Sequence, residues 1–186
     1  MYNNSLRKII HLSSLFFLLV YLIVLTSFNK QIALLFLAAC LIAFLIYEYL
    51  RLEIRLWVPF RSIVRDKEKN RMTSGVYLLA SFIICLAVFE LNIAIAAIFM
   101  AIFGDTAASL VDKKKKALFN RGLANFVVSL LIGYFLTGIY TGAIMALTAS
   151  IVEAIPKKVE DNLAVPIIAG FAGELMKAGG LIKWFL

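Results

Sequence analysis

Long apolar runs alternate with short polar segments along the whole chain. The runs are Ile9–Phe28, Gln31–Leu50, Met72–Phe89, Leu91–Val111, Leu123–Leu136, Ile139–Ile155 and Leu163–Met176. Most approach the roughly 20 residues a helix needs to cross a bilayer, and the fifth and seventh are shorter. In lipid only helices and closed barrels satisfy their own backbone, and continuous apolar runs fit helices rather than alternating barrel strands. The pattern predicts an all-α polytopic membrane protein with seven transmembrane helices, forming a single integral membrane domain over residues 1–186. The first run follows Arg7 and Lys8 as a signal peptide would. It is too long for such an h-region and lacks a small-x-small cleavage site, so it is read as a membrane helix.

Composition agrees with this reading, because 63% of the 186 residues are hydrophobic and the runs hold most of them. Charge adds an orientation. Arg7 and Lys8 precede the first run; Arg51, Arg55, Arg61, Arg65, Lys67, Lys69 and Arg71 fall in the second loop. Lys113 to Lys116 and Arg121 occupy the fourth loop, and Lys157 and Lys158 the sixth. Sixteen of the nineteen basic residues thus lie on one side of a seven-span chain, leaving Lys30, Lys177 and Lys183 on the other. The positive-inside rule makes the richer side cytoplasmic, with the N-terminus inside and the C-terminus outside. Leu52–Val64 interleaves arginines with apolar residues as a headgroup-level surface helix does, interrupted at Pro59. Membrane position and anionic-lipid attraction account for the basic residues, so nucleic acid is not an expected partner. Cys40 and Cys85 lie mid-run and read as small buried hydrophobes; with a single histidine, neither a disulfide nor a zinc site is indicated.

Three acids interrupt this picture. Asp105 lies within the fourth run, Glu153 near the end of the sixth, and Asp161 just before the seventh. A carboxylate at bilayer depth costs about 2.5–3.5 kcal/mol even on lenient insertion scales, which makes it a functional candidate by default. The topology brings all three to the cytoplasmic leaflet, together with Arg7, Lys8 and His11 at the start of the first run and Thr73, Ser74 and Gly75 at the start of the third. Asp105 and Ser109 are four apart and share a helix face, as do Arg7 and His11. Asp161 or Asn162 is expected to cap the seventh helix, with Pro166 near its start. Asp105, Glu153 and Asp161 supply hard oxygen ligands suited to Mg²⁺, and the lysines after the fourth run suit phosphate. Carboxylates, Mg²⁺ and a basic loop are the minimal parts of phosphoryl transfer. No Walker A sequence and no kinase-type glycine loop is present.

Gly104-Asp105-Thr106-Ala107-Ala108-Ser109 and Glu153-x₇-Asp161-Asn162-Leu163-Ala164-Val165-Pro166 resemble the two signature motifs of the dolichol kinase, phytol kinase and yeast-type diacylglycerol kinase family. Arg7-Lys8-x-x-His11 is similar to its N-terminal motif, and Thr73-Ser74-Gly75-Val76-Tyr77 to its third-span motif. The resemblance runs in order from residue 7 to about residue 170. Two positions depart from it. Asp112 stands where the family usually has glycine, and Leu118-Phe119-Asn120-Arg121-Gly122 replaces a Lys-Ser/Thr-x-Glu-Gly element, keeping only the glycine.

The resemblance implies a polytopic enzyme that uses CTP and Mg²⁺ to phosphorylate a polyprenol, prenol or diacylglycerol at the cytoplasmic face. Asp105 and Asp161 are then the expected catalytic residues, and Asp105, Glu153 and Asp161 the expected metal ligands. Lys113, Lys114, Arg121, Asn162, Arg7, Lys8 and His11 are the expected nucleotide contacts. Two other activities are compatible with the same residues. A lipid-phosphate cytidylyltransferase would transfer the CMP moiety, and an ion-coupled transporter would relay protons or cations through acids. The transporter predicts acids spread across the membrane, whereas these cluster at one leaflet.

Overall fold

The structure, a computed structural model, describes residues 14–54, 71–110, 117–155 and 160–179, with side chains from Asn120 onward in the third of these segments. It is all-α: α1 Leu15–Ser27, α2 Lys30–Leu52, α3 Ser74–Val88, α4 Leu91–Leu110, α5 Ala117–Thr137, α6 Ile139–Ala154 and α7 Asp161–Ala178. Each helix falls on one apolar run. Two of them, α2 and α4, are long and apolar enough to cross a membrane, while α1, α3 and α6 are apolar but shorter. The main boundary differences are polar. α5 begins at Ala117 rather than Leu123, taking in Asn120, Arg121 and Gly122, and α7 begins at Asp161 rather than Leu163. Arg51, read from sequence as a loop charge, lies in the last turn of α2 and is buried. Residues 9–13 of the first run and residues 55–64 of the expected surface helix lie outside the described residues.

The chain forms two compact units, residues 1–83 and residues 84–186. In the first, α1 and α2 pack on each other, with Phe17 and Phe44 meeting edge to face at 5.8 Å between ring centres. Asn29 caps α2, its side chain accepting the Ile32 N–H at 2.9 Å. This satisfies one of the donors that a helix start leaves open.

The second unit contains α4 to α7, with α5 against α4 and α6, and α7 against α4 and α6. Short connections make successive helices antiparallel. The α5–α6 link is a single residue, Gly138, whose φ of 85° lies in the left-handed region open to glycine. Glu90, immediately before α4, ties that end to the far end of α7: its N–H donates to Glu174, and Lys177 donates to its carboxylate. The opposite end of the unit therefore carries the end of α4, the start of α5, the end of α6 and the start of α7.

The buried core is mostly apolar, and α5 adds polar residues to it. On α5, Asn125, Ser129 and Gly133 form a buried stripe, while Leu123, Val127, Leu131 and Phe135 form an outward stripe, Phe135 being 79% exposed. Ile144, Leu147 and Ile151 of α6 and Ile168, Phe171 and Leu175 of α7 also face outward. Small residues let the backbones approach. A Cβ placed on Gly133 would lie 2.5 Å from the Gly142 Cα, so two backbones rather than a movable side chain would collide. Gly133→Ala or Gly142→Ala is expected to destabilise the protein by about 1–3 kcal/mol, the range for overpacking a close contact. Gly122→Ala, where an added Cβ meets nothing within 4 Å, is expected to be neutral or slightly stabilising. Melting in detergent checks the contrast, and equal midpoints for all three variants would contradict the packing described.

Candidate functional site

The end of the second unit where α4, α5, α6 and α7 converge is built in layers. Gly104 of α4 provides the first. It has no Cβ, and one built there would sit 2.8 Å from Asn125 Nδ2 of α5, so the Asn125 amide occupies the notch glycine leaves. Asn125 is 1% exposed, and its Oδ1 accepts from Ser129 Oγ at 3.0 Å and from Ser150 Oγ of α6 at 3.3 Å. One side chain thus links three helices. Nδ2 has no hydrogen-bond partner among the described residues.

The second layer lies one turn nearer the end. Ala108, four residues after Gly104, offers its carbonyl to Arg121 Nε, four residues before Asn125, at 3.2 Å. The last carbonyls of a helix lack intrahelical partners, and a cation there also complements the helix dipole. Arg121 is half-buried, and this bond fixes the plane of its guanidinium at the end of α4. Glu153, three residues beyond Ser150 on α6, extends that helix toward the same end and is half-buried.

Asp105 follows Gly104 and is half-buried on α4. The neighbouring hydroxyls serve the helix itself: Thr106 donates to the Ile102 carbonyl at 2.8 Å, and Ser109, the residue sharing Asp105's face, donates to the Thr106 carbonyl at 2.7 Å. Asp161 and Asn162 are the first two residues of α7. Asp161 is exposed at the positive end of the helix dipole, whereas Asn162 is half-buried and continues the stripe of buried Val165, Pro166 and Ala169.

One expectation is corrected. Neither Asp161 nor Asn162 caps α7. The cap is Glu160, whose carbonyl accepts from the Leu163 and Ala164 N–H groups while its side chain makes no capping bond. The apolar pattern placed the helix start after the acids, and the backbone turns one residue before them. Among the described residues no group of three His, Cys, Asp or Glu side chains is placed to hold a metal ion. Asp105, Glu153 and Asp161 share one end of the unit. Lys113, Lys114, Arg7, Lys8 and His11 lie outside the described residues.

The first unit holds a polar cluster that the sequence reading passed over. Glu48 of α2, 2% exposed, accepts from Arg51 Nη2 one turn later and from Thr73 Oγ1 at 2.9 Å, just before α3. The same Arg51 Nη2 donates to the Arg71 carbonyl at 2.7 Å. The signal available in sequence was the i, i+3 spacing of opposite charges inside an apolar run. For Asn125 and Ser150 there was none, since isolated neutral polar residues in a run give no spacing to read. Cys85 is buried and Cys40 half-buried, and both are free thiols. Compared with protein-family models, with curated proteins and with solved structures, the chain matches none.

Proposed function

We propose that the protein is a CTP-dependent lipid-alcohol kinase, a seven-span integral membrane enzyme forming a single membrane domain, whose active site is the α4–α7 end of the second unit, facing the cytoplasm. The observation that carries this reading is the convergence at one end of Asp105, Glu153, Asp161 and Asn162, on which the signature-like motifs fall, with Arg121 beside them. The outward apolar surface supports the membrane setting. Outward Leu, Ile and Phe stripes on α5, α6 and α7 suit hydrocarbon as the surrounding medium, whereas soluble monomers rarely expose such continuous apolar faces.

In the proposed reaction the lipid hydroxyl oxygen attacks the γ-phosphorus of CTP, and the bond to the β–γ bridging oxygen breaks. Asp105 accepts the hydroxyl proton, leaving lipid phosphate and CDP. Arg121, held in plane by Ala108, presents its terminal N–H groups to phosphate oxygens in the paired manner guanidinium favours. Asp161, Asn162 and Glu153 border the triphosphate. In sequence the connecting segments add Lys113 to Lys116, Lys157 and Lys158 at these helix ends. Mg²⁺ belongs to this reading as the counter-ion of CTP rather than as an ion caged by the protein; it commonly keeps one or two carboxylates and fills its remaining places with phosphate oxygens and water.

The test is incubation of purified protein with CTP, Mg²⁺ and a panel of prenols, polyprenols and diacylglycerols, with products identified by mass. A lipid monophosphate is expected. A CMP-containing product indicates cytidylyl transfer instead, and no lipid product from any alcohol removes the kinase reading. With the accepted lipid, the CTP rate is expected to exceed those with ATP, UTP and GTP. An ATP rate equal to or above it overturns the donor assignment alone.

Orientation is tested separately. Cysteines introduced at Asp66 and Lys115 are expected to resist a membrane-impermeant maleimide in intact cells and to react after permeabilisation. Reaction in intact cells would reverse the topology.

A further inference from the structure

We infer that Asn125 is a positioning residue for Asp105, acting through its seat against Gly104; the inference rests on the reading of Asp105 as the proton acceptor. Asn125 does not face the end of the unit. It is buried, and its amide fills the space where a Gly104 Cβ would lie, with Nδ2, Cγ and Oδ1 at 2.8, 3.0 and 3.0 Å from that point. All three amide atoms being this near means the whole plane of the group lies against α4, so its position sets how closely α4 and α5 approach.

The amide is itself held from two further directions. Ser129, one turn along α5, donates to Oδ1 at 3.0 Å, which fixes the side-chain rotamer. Ser150 reaches it from α6 at 3.3 Å. Ser150 has one hydroxyl hydrogen and a nearer acceptor, the Ala146 carbonyl at 2.8 Å, so Ser129 is the stronger partner and Ser150 supplies contact between helices. Asp105 is the next residue after Gly104, and rotation about or translation along α4 carries its carboxylate with it. One turn further on, Arg121 is fixed to the Ala108 carbonyl, so the same two helix faces set the acid and the cation in register. The placement of Asn125 against Gly104, the residue before the acid, gives it a use in geometry.

The test is reciprocal substitution with two readouts. In a parent carrying Asp105→Cys, with Cys40 and Cys85 replaced by Ala, the alkylation rate at position 105 reports where that side chain sits whether or not the protein is a kinase. Gly104→Ala is expected to change this rate at least several-fold, and Gly104→Ala with Asn125→Ser, which shortens the opposing side chain, to restore it to within about twofold. In the protein retaining Asp105, Gly104→Ala is expected to lower kcat about tenfold or more with KM for CTP within about threefold, and Asn125→Ser to recover most of the loss. A change in melting midpoint alone, with alkylation and kcat unchanged, would reduce Asn125 to a packing residue and overturn the inference. An alkylation rate unmoved by Gly104→Ala, or unrestored in the double variant, overturns it as well. If alkylation responds as expected but the unsubstituted protein phosphorylates no lipid alcohol, the coupling between Asn125 and position 105 stands and the kinase reading falls.

Discussion

Asp105→Asn is expected to lower kcat about 10²–10⁴-fold, the range for removing a positioned general base, while leaving the helices packed. The substitution preserves size and removes only the charge and the ability to take a proton. Asp105 is half-buried, and its helix is held next to it by the seat of Gly104 against Asn125. A protein that melts like the parent yet turns over at a small fraction of its rate is therefore the expected pair of results. Asp161→Asn is expected to act differently. Asp161 is exposed on the first turn of α7, so its loss should appear chiefly in KM for CTP. Asp66→Asn, a change in a segment the sequence marks as a polar loop, serves as control. Parent-like turnover by the Asp105 variant would falsify its assignment as base, even if lipid phosphate is the product.

The helices were legible in the sequence because hydropathy reports them directly: each of the seven runs carries a helix among the described residues. Where the reading slipped, a polar residue had been taken as the end of an element. α5 extends six residues earlier than its apolar run because Arg121 lies in its first turns, bonded to the Ala108 carbonyl. α2 continues through Arg51 because Glu48, one turn back, neutralises it. A charge marks a boundary only when it has no partner inside, and partners are a property of the folded chain. The candidate site was legible to a similar depth. Antiparallel helices with short links bring Asp105, Glu153 and Asp161 to one end of a unit, and spacing predicts that much. How near they come within that end depends on helix rotation and lateral packing, which no one-dimensional pattern encodes. The groups that set that packing, Asn125 and Ser150, are neutral and isolated in apolar runs.

Glu48→Ala is expected to produce the largest loss of stability, about 3–5 kcal/mol, or a drop in melting midpoint of roughly 6–20 °C. The reasoning turns on what is left behind. Arg51 is buried beside Glu48, and its guanidinium also holds the Arg71 carbonyl, while Thr73 donates to the other carboxylate oxygen. Removing Glu48 strands a cation in an apolar setting and leaves the Thr73 hydroxyl without its acceptor, so two defects arise at once. The pair itself is not expected to be a large net source of stability, because desolvating both charges offsets much of their attraction. The double variant Glu48→Leu with Arg51→Met should consequently melt within a few degrees of the parent, far above Glu48→Ala. That ordering separates two roles for the cluster. If the double variant is stable and keeps its turnover, the cluster only fastens the end of α2 to the residues before α3. If it is stable but inactive, Glu48 and Arg51 serve the reaction, and the Thr73-Ser74-Gly75 motif they hold becomes the next place to look. A Glu48→Ala midpoint within a degree or two of the parent would show that the buried pair described here does not form.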